Sequence, residues 1–181
     1  MSPTDSVVCL PLKSGYYQTN QINKYMQRGP ELVLDYVSAK RRVISPNSAT
    51  RTLNENESGS AVLFDRAAGT VYTLPAACLP GTYFDFYVSV TATSNAHKII
   101  TGAGTELMVG QILNCDTDTS DAVAIWKSLV ETSNIAVSMN GTTKGGVKGD
   151  WIRVTKLDST TWGVNGGING NDTVATPFAT S

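Results

Sequence analysis

The chain has 181 residues, of which 41% are apolar and only 16% are charged, and its net charge is −1. A chain of this length can bury one good core, and the near-zero charge excludes an overall electrostatic attraction to nucleic acid. Because Thr, Ser, Asn and Gly are abundant, the composition favours short strands and tight turns over a helix bundle.

The first 50 residues differ from the rest in charge and amino-acid composition. They carry six Lys or Arg against three Asp or Glu, a net +3, whereas residues 51–181 carry eight against twelve, a net −4. The segment is polar and tyrosine-rich, and residues 31–37 fit a strand or a short helix equally well. We predict a basic, extended arm that becomes ordered on a partner, with a disordered, solvated segment as the alternative. The residues expected to contact that partner are Tyr16, Tyr17, Lys24, Tyr25, Arg28, Arg41 and Arg42.

Residues 51–181 alternate short apolar runs with turn signals. The clearest strand spans 82–93, where Phe84, Phe86 and Val88 alternate with polar or tyrosine residues, and residues 97–101 are predicted to pair with it. Other predicted strands are 60–65, 70–74, 106–113, 122–126 and 135–139, then a hairpin of 150–155 with 161–164, before a loose tail at 165–171. About eight short strands between turns predict an all-β sandwich or barrel.

Two sets of apolar residues are assigned roles from this pattern. Strand 106–113 has little polar alternation, so Met108, Val109 and Ile112 are expected to form a self-association face, in a trimer or alternatively a dimer. The expected core residues are Phe84, Phe86, Val88, Val90, Trp151, Ile152, Val154 and Trp162.

From the sequence we predict that the protein is not an enzyme and has no metal and no cofactor. His97 is the only histidine and has no activated nucleophile near it, which favours a structural or surface role. A calcium loop that starts at Asp116 needs Gly at its sixth position and Glu at its twelfth, but these positions hold Asp121 and Lys127, so a solvated acidic turn is favoured over a cation site. Residues 141–149 lack the Gly-Lys-Ser/Thr end of a phosphate loop, and their glycines indicate close chain packing.

Carboxylates and aromatic residues leave two alternatives open. A glycosidase needs two facing acids, which can be drawn from Asp65, Asp85, Asp150 and Asp158, although each also fits a turn or strand edge. Stacked rings can bind sugars, but core and cross-strand packing are favoured, above all for Trp151 and Trp162. The candidate rings are Trp126, Trp151, Trp162, Tyr72, Tyr83 and Tyr87.

The cysteines, the N-terminal sequence and the length of the apolar stretches indicate where the protein is expected to be located. Cys9, Cys78 and Cys115 show no metal-type spacing, and their odd number predicts free, buried thiols in a reducing compartment. No basic start followed by an apolar run is visible, and no stretch reaches the roughly 20 apolar residues of a membrane span. We therefore expect a soluble protein made in a cytoplasm, without a membrane partner.

Four runs carry a resemblance to a known class of protein. They are TLNENESGSAVLFDRAAGTVYTLP (52–75), GTYFDF (81–86), NGTTKGG (140–146) and GDW (149–151) leading to Trp162. Together they resemble small β-domain structural proteins of tailed bacteriophages. The best-matching role is a capsid decoration (cement) protein, with head-fibre or knob proteins of the same virions as the close alternative. The resemblance covers roughly residues 50–181 and not the arm at residues 1–50.

The resemblance implies a jelly-roll-like body that assembles with copies of itself and binds the major capsid protein on the outer surface of a virion. No nucleic acid is expected as a partner. A fibre-tip module that binds host carbohydrate is the alternative, and exposed Trp faces beside a groove would favour it. A small glycoside-active enzyme is the third hypothesis, favoured by two carboxylates about 5–9 Å apart.

Overall fold

The structure, a computed structural model, describes residues 41–118 and 123–181. Two short 3₁₀ turns, Glu55–Glu57 and Val130–Thr132, interrupt an otherwise all-strand body, and no described helix is long and apolar enough to cross a membrane. The described strands are β1 Val43–Ile44, β2 Thr50–Thr52, β3 Ala61–Phe64, β4 Val71–Thr73, β5 Tyr83–Val88, β6 His97–Ile100, β7 Leu107–Asp116, β8 Val123–Ser128, β9 Ala136–Met139, β10 Trp151–Lys156, β11 Thr161–Gly170 and β12 Phe178–Ala179.

The strands form two sheets that pack face to face. One sheet has the order β1-β3-β5-β10-β11-β7-β8 and the other has the order β12-β9-β6-β4-β2. The first seven strands alternate between the sheets, so the chain winds from one layer to the other. Because each turn of this winding returns in the same direction, β1, β3 and β5 run parallel, as do β2, β4 and β6.

The predicted all-β class is confirmed, and the strand pairing adds detail to it. Of the ten pairings between described strands, five are parallel, whereas a jelly roll is an antiparallel architecture. Residues 43–50, which the sequence assigns to the arm, contain β1 and the first residue of β2. The predicted element at 31–37 lies outside the described residues.

The core lies between the sheets and is aromatic at its centre. Phe64 of β3 packs edge-on against Tyr72 of β4 at 5.2 Å between ring centroids, and Tyr72 lies 5.5 Å from Phe86. Six of the eight predicted core residues are buried, as the alternation requires. These are Phe84, Phe86, Val88, Ile152, Val154 and Trp162.

Two predicted core residues are exposed instead. Trp151 precedes the inward-facing Ile152, and successive residues of a strand point to opposite faces, so Trp151 faces out. Val90 follows the end of β5, where the amides of both Ser89 and Val90 donate to the single carbonyl of Phe64. The alternation breaks at that point, and Val90 is exposed.

One predicted pairing and the predicted loose tail are also wrong. β6 was expected beside residues 82–93, but it lies in the other sheet between β4 and β9, because residues 89–96 cross between the layers. The expected loose tail at 165–171 instead extends β11 to Gly170. There it pairs in parallel with β7 over ten residues, from Thr161 opposite Leu107 to Gly170 opposite Asp116. The predicted hairpin of β10 with β11 is confirmed.

A glycine-rich turn closes one end of the sandwich. Gly141 has φ +83°, and a Cβ there would lie 1.9 Å from the carbonyl oxygen of Ala92, so only glycine fits. The buried Asp150 carboxylate accepts hydrogen bonds from the amides of Gly146 and Val147, and from the backbone and side chain of Asn169. One side chain thus ties the turn to β11.

Candidate interaction surface

The predicted partner-binding residues fall mostly outside the described chain. Tyr16, Tyr17, Lys24, Tyr25 and Arg28 lie there, and their role stays a prediction. Arg41 is exposed at the start of the described chain.

Arg42 is also exposed, but it is engaged within the body. Its guanidinium lies 3.3 Å from the buried carboxylate of Glu57 and donates to the carbonyl of Asn56. Arg51 donates to the same Glu57 oxygen at 2.5 Å. Arg42 therefore helps to neutralise a buried acid of this chain, and its exposed part remains accessible to a partner.

The predicted self-association residues on β7 need correction. Met108 and Ile112 have no exposed surface and belong to the core, so they are not available for contact with another copy. Val109 faces the other way and is half-buried. The strand looked apolar on both faces because Gly110 and Gln111 interrupt the alternation only weakly, and the pleat makes 108, 110 and 112 share the inner face.

The outer face of the seven-stranded sheet carries a continuous row of apolar residues. Register places one outward residue from each of six neighbouring strands side by side, and at about 4.8 Å per strand the row spans about 24 Å. We call it the apolar row: Leu63, Tyr87, Trp151, Gly167, Leu113 and Ile125. Four of its members are exposed: Tyr87 (38%), Trp151 (43%), Leu113 (40%) and Ile125 (61%).

Gly167, the glycine of this row, leaves room for the side chain of Trp151. A Cβ on Gly167 would lie 3.1 Å from the indole Nε1 of Trp151, on the neighbouring strand. The indole therefore occupies the space that a side chain at 167 would take, and lies across the sheet. An aromatic ring held in this way offers area to a partner at little entropic cost.

The neighbouring row is polar but nearly neutral. Arg153 of β10 forms a two-point ion pair with Asp85 of β5, at 2.5 and 2.6 Å, and its guanidinium lies 5.0 Å from the ring centre of Tyr83. Within this pair, Asp85 is buried. The row continues with the uncharged Asn165 and Gln111 and ends at Lys127, so the outer face presents little net charge.

In comparisons with known proteins, no family model, no curated protein and no solved structure matches the chain.

The buried charges have structural partners. Lys156 and Glu106 are both buried, and the Lys156 ammonium donates to Glu106 Oε1. The same oxygen accepts the indole N–H of Trp162 at 2.8 Å, and the other accepts the amide of Ala103. The charged groups of this cluster and the indole N–H therefore all have partners. The cluster joins the start of β7 to the end of β10 and to β11.

The surroundings of His97 and of the described cysteines indicate structural roles for these residues. The His97 ring stacks on Phe64 at 4.6 Å, and its Nε2 donates to the carbonyl of Val90 at 2.8 Å. Burial lowers the pKa of His97, and its Nδ1 has no partner among the described residues. Cys78 and Cys115 are free, half-buried thiols, and burial raises the pKa of Cys78. A neutral histidine and a protonated thiol, each packed on the core, fit a structural role.

The four candidate carboxylates are each used within the chain. Asp65 accepts from the Ser45 hydroxyl and the Asn47 amide, and Asp158 accepts from the amide and hydroxyl of Thr160. The other two hold Arg153 and the glycine-rich turn, as described above. Among the described residues no group of three His, Cys, Asp or Glu is placed to hold a metal, and residues 119–122 of the acidic turn lie outside them.

One open cleft lies on the five-stranded sheet, with a volume of about 450 Å³. Its two cations already have partners: Arg66 donates to the carbonyl of Gly69 and Lys98 to that of Ser181. The remaining lining is mostly backbone and small side chains, so the apolar row is the stronger candidate for recognition.

Sequence reasoning missed the apolar row. Tyr87 follows from the alternation in β5, since Phe84, Phe86 and Val88 face in and Tyr87 must face out. Val123 and Ile125 alternate with the half-buried Ala124 and Trp126 in the same way. Their meeting in one row depends on a register between distant strands, which no local pattern reports.

Proposed function

We propose that this protein is a structural component of a tailed-phage virion that binds the outer surface of the capsid as a decoration protein. The observation that carries the proposal is the apolar row, a strip about 24 Å long on a nearly neutral sheet face, in which four of the six members are exposed. Aromatic anchors flanked by aliphatic residues are typical of protein-binding surfaces. The major capsid protein is the proposed partner.

The way in which the buried charged groups are paired also supports a role in binding. The buried charged groups of the described body neutralise one another or hold turns, so they serve the fold. The N-terminal arm remains part of the proposal as a second capsid contact, with its basic and tyrosine residues as anchors. Two contacts on one chain add avidity, because the second binds as an intramolecular event once the first has formed.

The test is cosedimentation of the protein with undecorated capsids. The double variant Tyr87→Ser/Trp151→Ser is expected to lose at least about tenfold in affinity, which is the loss of about 1.4 kcal/mol. The matched control is Leu79→Ser, which removes a side chain that is 70% exposed and lies outside the apolar row. Equal binding by the double variant and the control would contradict a role for the row.

A second set of proteins separates the arm from the body. The deletion should remove residues 1–40 and spare β1, because Val43 and Ile44 pair with Ala61 and Val62 of the sheet. Circular dichroism confirms that the shortened protein folds. Reduced binding of the shortened protein, most marked at low salt, supports the arm as a basic contact. If neither the deletion nor the row variant binds less well, the decoration role fails.

Carbohydrate recognition on a fibre or knob is the second candidate, and the exposure of Trp151 and Tyr87 on adjacent strands favours it. Tryptophan fluorescence during titration with host-surface polysaccharides tests it. A saturable change that disappears in Trp151→Phe would support this candidate over capsid binding, and no change would exclude the row as a sugar platform.

A further inference from the structure

The open cleft on the five-stranded sheet combines a preformed shape with positive charge. Its floor is a row on the outer face of the sheet, where register places Thr50, Val71 and Lys98 side by side. The residues that alternate with them in β4 and β6 are buried, so the row points away from the core. Residues from the loops at 66–69 and 95–96 complete the lining.

The two loops of the cleft hold each other in place. Gly69 has φ +83°, and a Cβ there would lie 2.5 Å from the backbone carbonyl oxygen of Asn95, so the close approach requires glycine. The side-chain amide of Asn95 donates to the carbonyl of Ala68 at 3.2 Å, and Arg66 Nη1 donates to the carbonyl of Gly69 at 2.8 Å. The cleft is therefore formed before a ligand arrives, and binding requires little ordering of the chain.

The positive charge of the cleft is not balanced within its lining. Among the described residues that line it, Arg66 and Lys98 are charged and none is acidic. Neither cation forms an ion pair with a described Asp or Glu. The carbonyl of Gly69 is neutral, so it leaves the charge of Arg66 uncompensated. Lys98 donates to the carbonyl of Ser181 at 3.2 Å, and because Ser181 is exposed, a ligand oxygen can take its place.

We propose that this cleft binds an acidic saccharide. Its carboxylate or phosphate group binds Arg66 and Lys98, and the C–H face of its sugar ring packs on the methyl groups of Val71 and Ala96. The volume of about 450 Å³ lies within the range of roughly 300–1,000 Å³ of small-molecule sites. This inference goes beyond capsid binding, because the cleft and the apolar row lie on different sheets and both can be occupied at once.

The test is a titration of the isotope-labelled protein, followed by two-dimensional NMR of its backbone amides. At least one of D-glucuronate and D-glucose 6-phosphate should shift the amides of Gly69, Ala96 and Lys98 saturably, and the tighter of the two identifies the acidic group. D-glucose supplies the ring without the charge, and inorganic phosphate supplies a charge without the ring. Each of these should bind at least about tenfold more weakly, because each lacks one of the two contacts. Titration to about 50 mM detects even millimolar dissociation constants.

Variants locate the response in the cleft. Lys98→Gln and Arg66→Gln should each raise the dissociation constant of the acidic sugar at least about tenfold, and Lys98→Gln keeps the test open if Arg66→Gln disturbs the turn at Gly69. The matched control is Lys148→Gln, which removes an exposed lysine outside the cleft and should leave binding unchanged. The inference is overturned if neither acidic sugar binds saturably, if glucose or phosphate alone binds as tightly, or if binding survives both variants. Cosedimentation with capsids is scored separately, so this result does not decide the decoration role.

Discussion

His97 illustrates how burial changes a side chain that otherwise titrates near neutral pH. Its ring is stacked on Phe64 and its Nε2–H is held by the carbonyl of Val90, so the neutral form fits the core and the charged form does not. Desolvation lowers its pKa below the ordinary value of 6.5. Since it is the only histidine, its effect on stability can be isolated.

The pH dependence of stability should carry this signature. The unfolded chain takes up a proton on His97 near pH 6.5, while the folded chain resists it until lower pH. The unfolded state therefore binds more protons in that window, and the free energy of unfolding falls as pH drops from 7 towards 5. In urea titrations at both pH values, His97→Gln should show a smaller loss than wild type. An equal loss would mean that other groups account for the dependence.

The two tryptophans of the β10–β11 hairpin should differ sharply in their contribution to stability. Trp162 is fully buried and donates to Glu106, whereas Trp151 lies on the outer face. Trp162→Ala should lower the free energy of unfolding by about 3–5 kcal/mol, because it leaves a large cavity. Trp151→Ala should cost less than about 1 kcal/mol, as surface changes usually do. Urea denaturation followed by circular dichroism measures both, and comparable losses would contradict the assigned orientations.

At the scale of elements, Glu106, just before β7, is joined by buried hydrogen bonds to Lys156 of β10 and to Trp162 of β11. Either single change, Lys156→Met or Glu106→Gln, leaves a buried charge without its opposite charge and should cost about 3–5 kcal/mol. The double variant Lys156→Met/Glu106→Leu should lose much less than the sum, because no uncompensated charge remains. A double-mutant cycle in urea, completed with Glu106→Leu, measures the coupling. Additive losses would indicate that the two side chains act independently.

Local sequence patterns predicted the strands well, but they predicted poorly which strands pair with each other. The alternation of Phe84, Phe86 and Val88 identified β5 and its inner face, because a period of two is visible within one strand. The same rule, applied to the adjacent Trp151 and Ile152, excludes burying both. The position of β6 in the other sheet and the extension of β11 depend on crossings between layers, which leave no mark in the sequence around them.

At the scale of the whole molecule, the candidate surface is a product of topology. Tyr87 and Ile125 are 38 positions apart in the chain, yet they lie in one row because β10, β11 and β7 separate their strands in a fixed register. Residue types alone therefore indicate which side chains are outward but not which of them are neighbours. The proposed decoration role would use such a surface, and capsid cosedimentation tests it.

The parallel ladder between β7 and β11 has a consequence for how the chain reaches its native state. It lies next to the edge of the larger sheet, and it pairs Leu107 with Thr161, so the ladder forms only after a loop of more than 50 residues has closed. Closing such a loop costs entropy before any hydrogen bond of the ladder compensates for it. Refolding should therefore take milliseconds to seconds, as in other proteins rich in non-local contacts. Stopped-flow tryptophan fluorescence after dilution from urea measures this rate, and loss of the full amplitude within the dead time would show that the ladder does not limit folding.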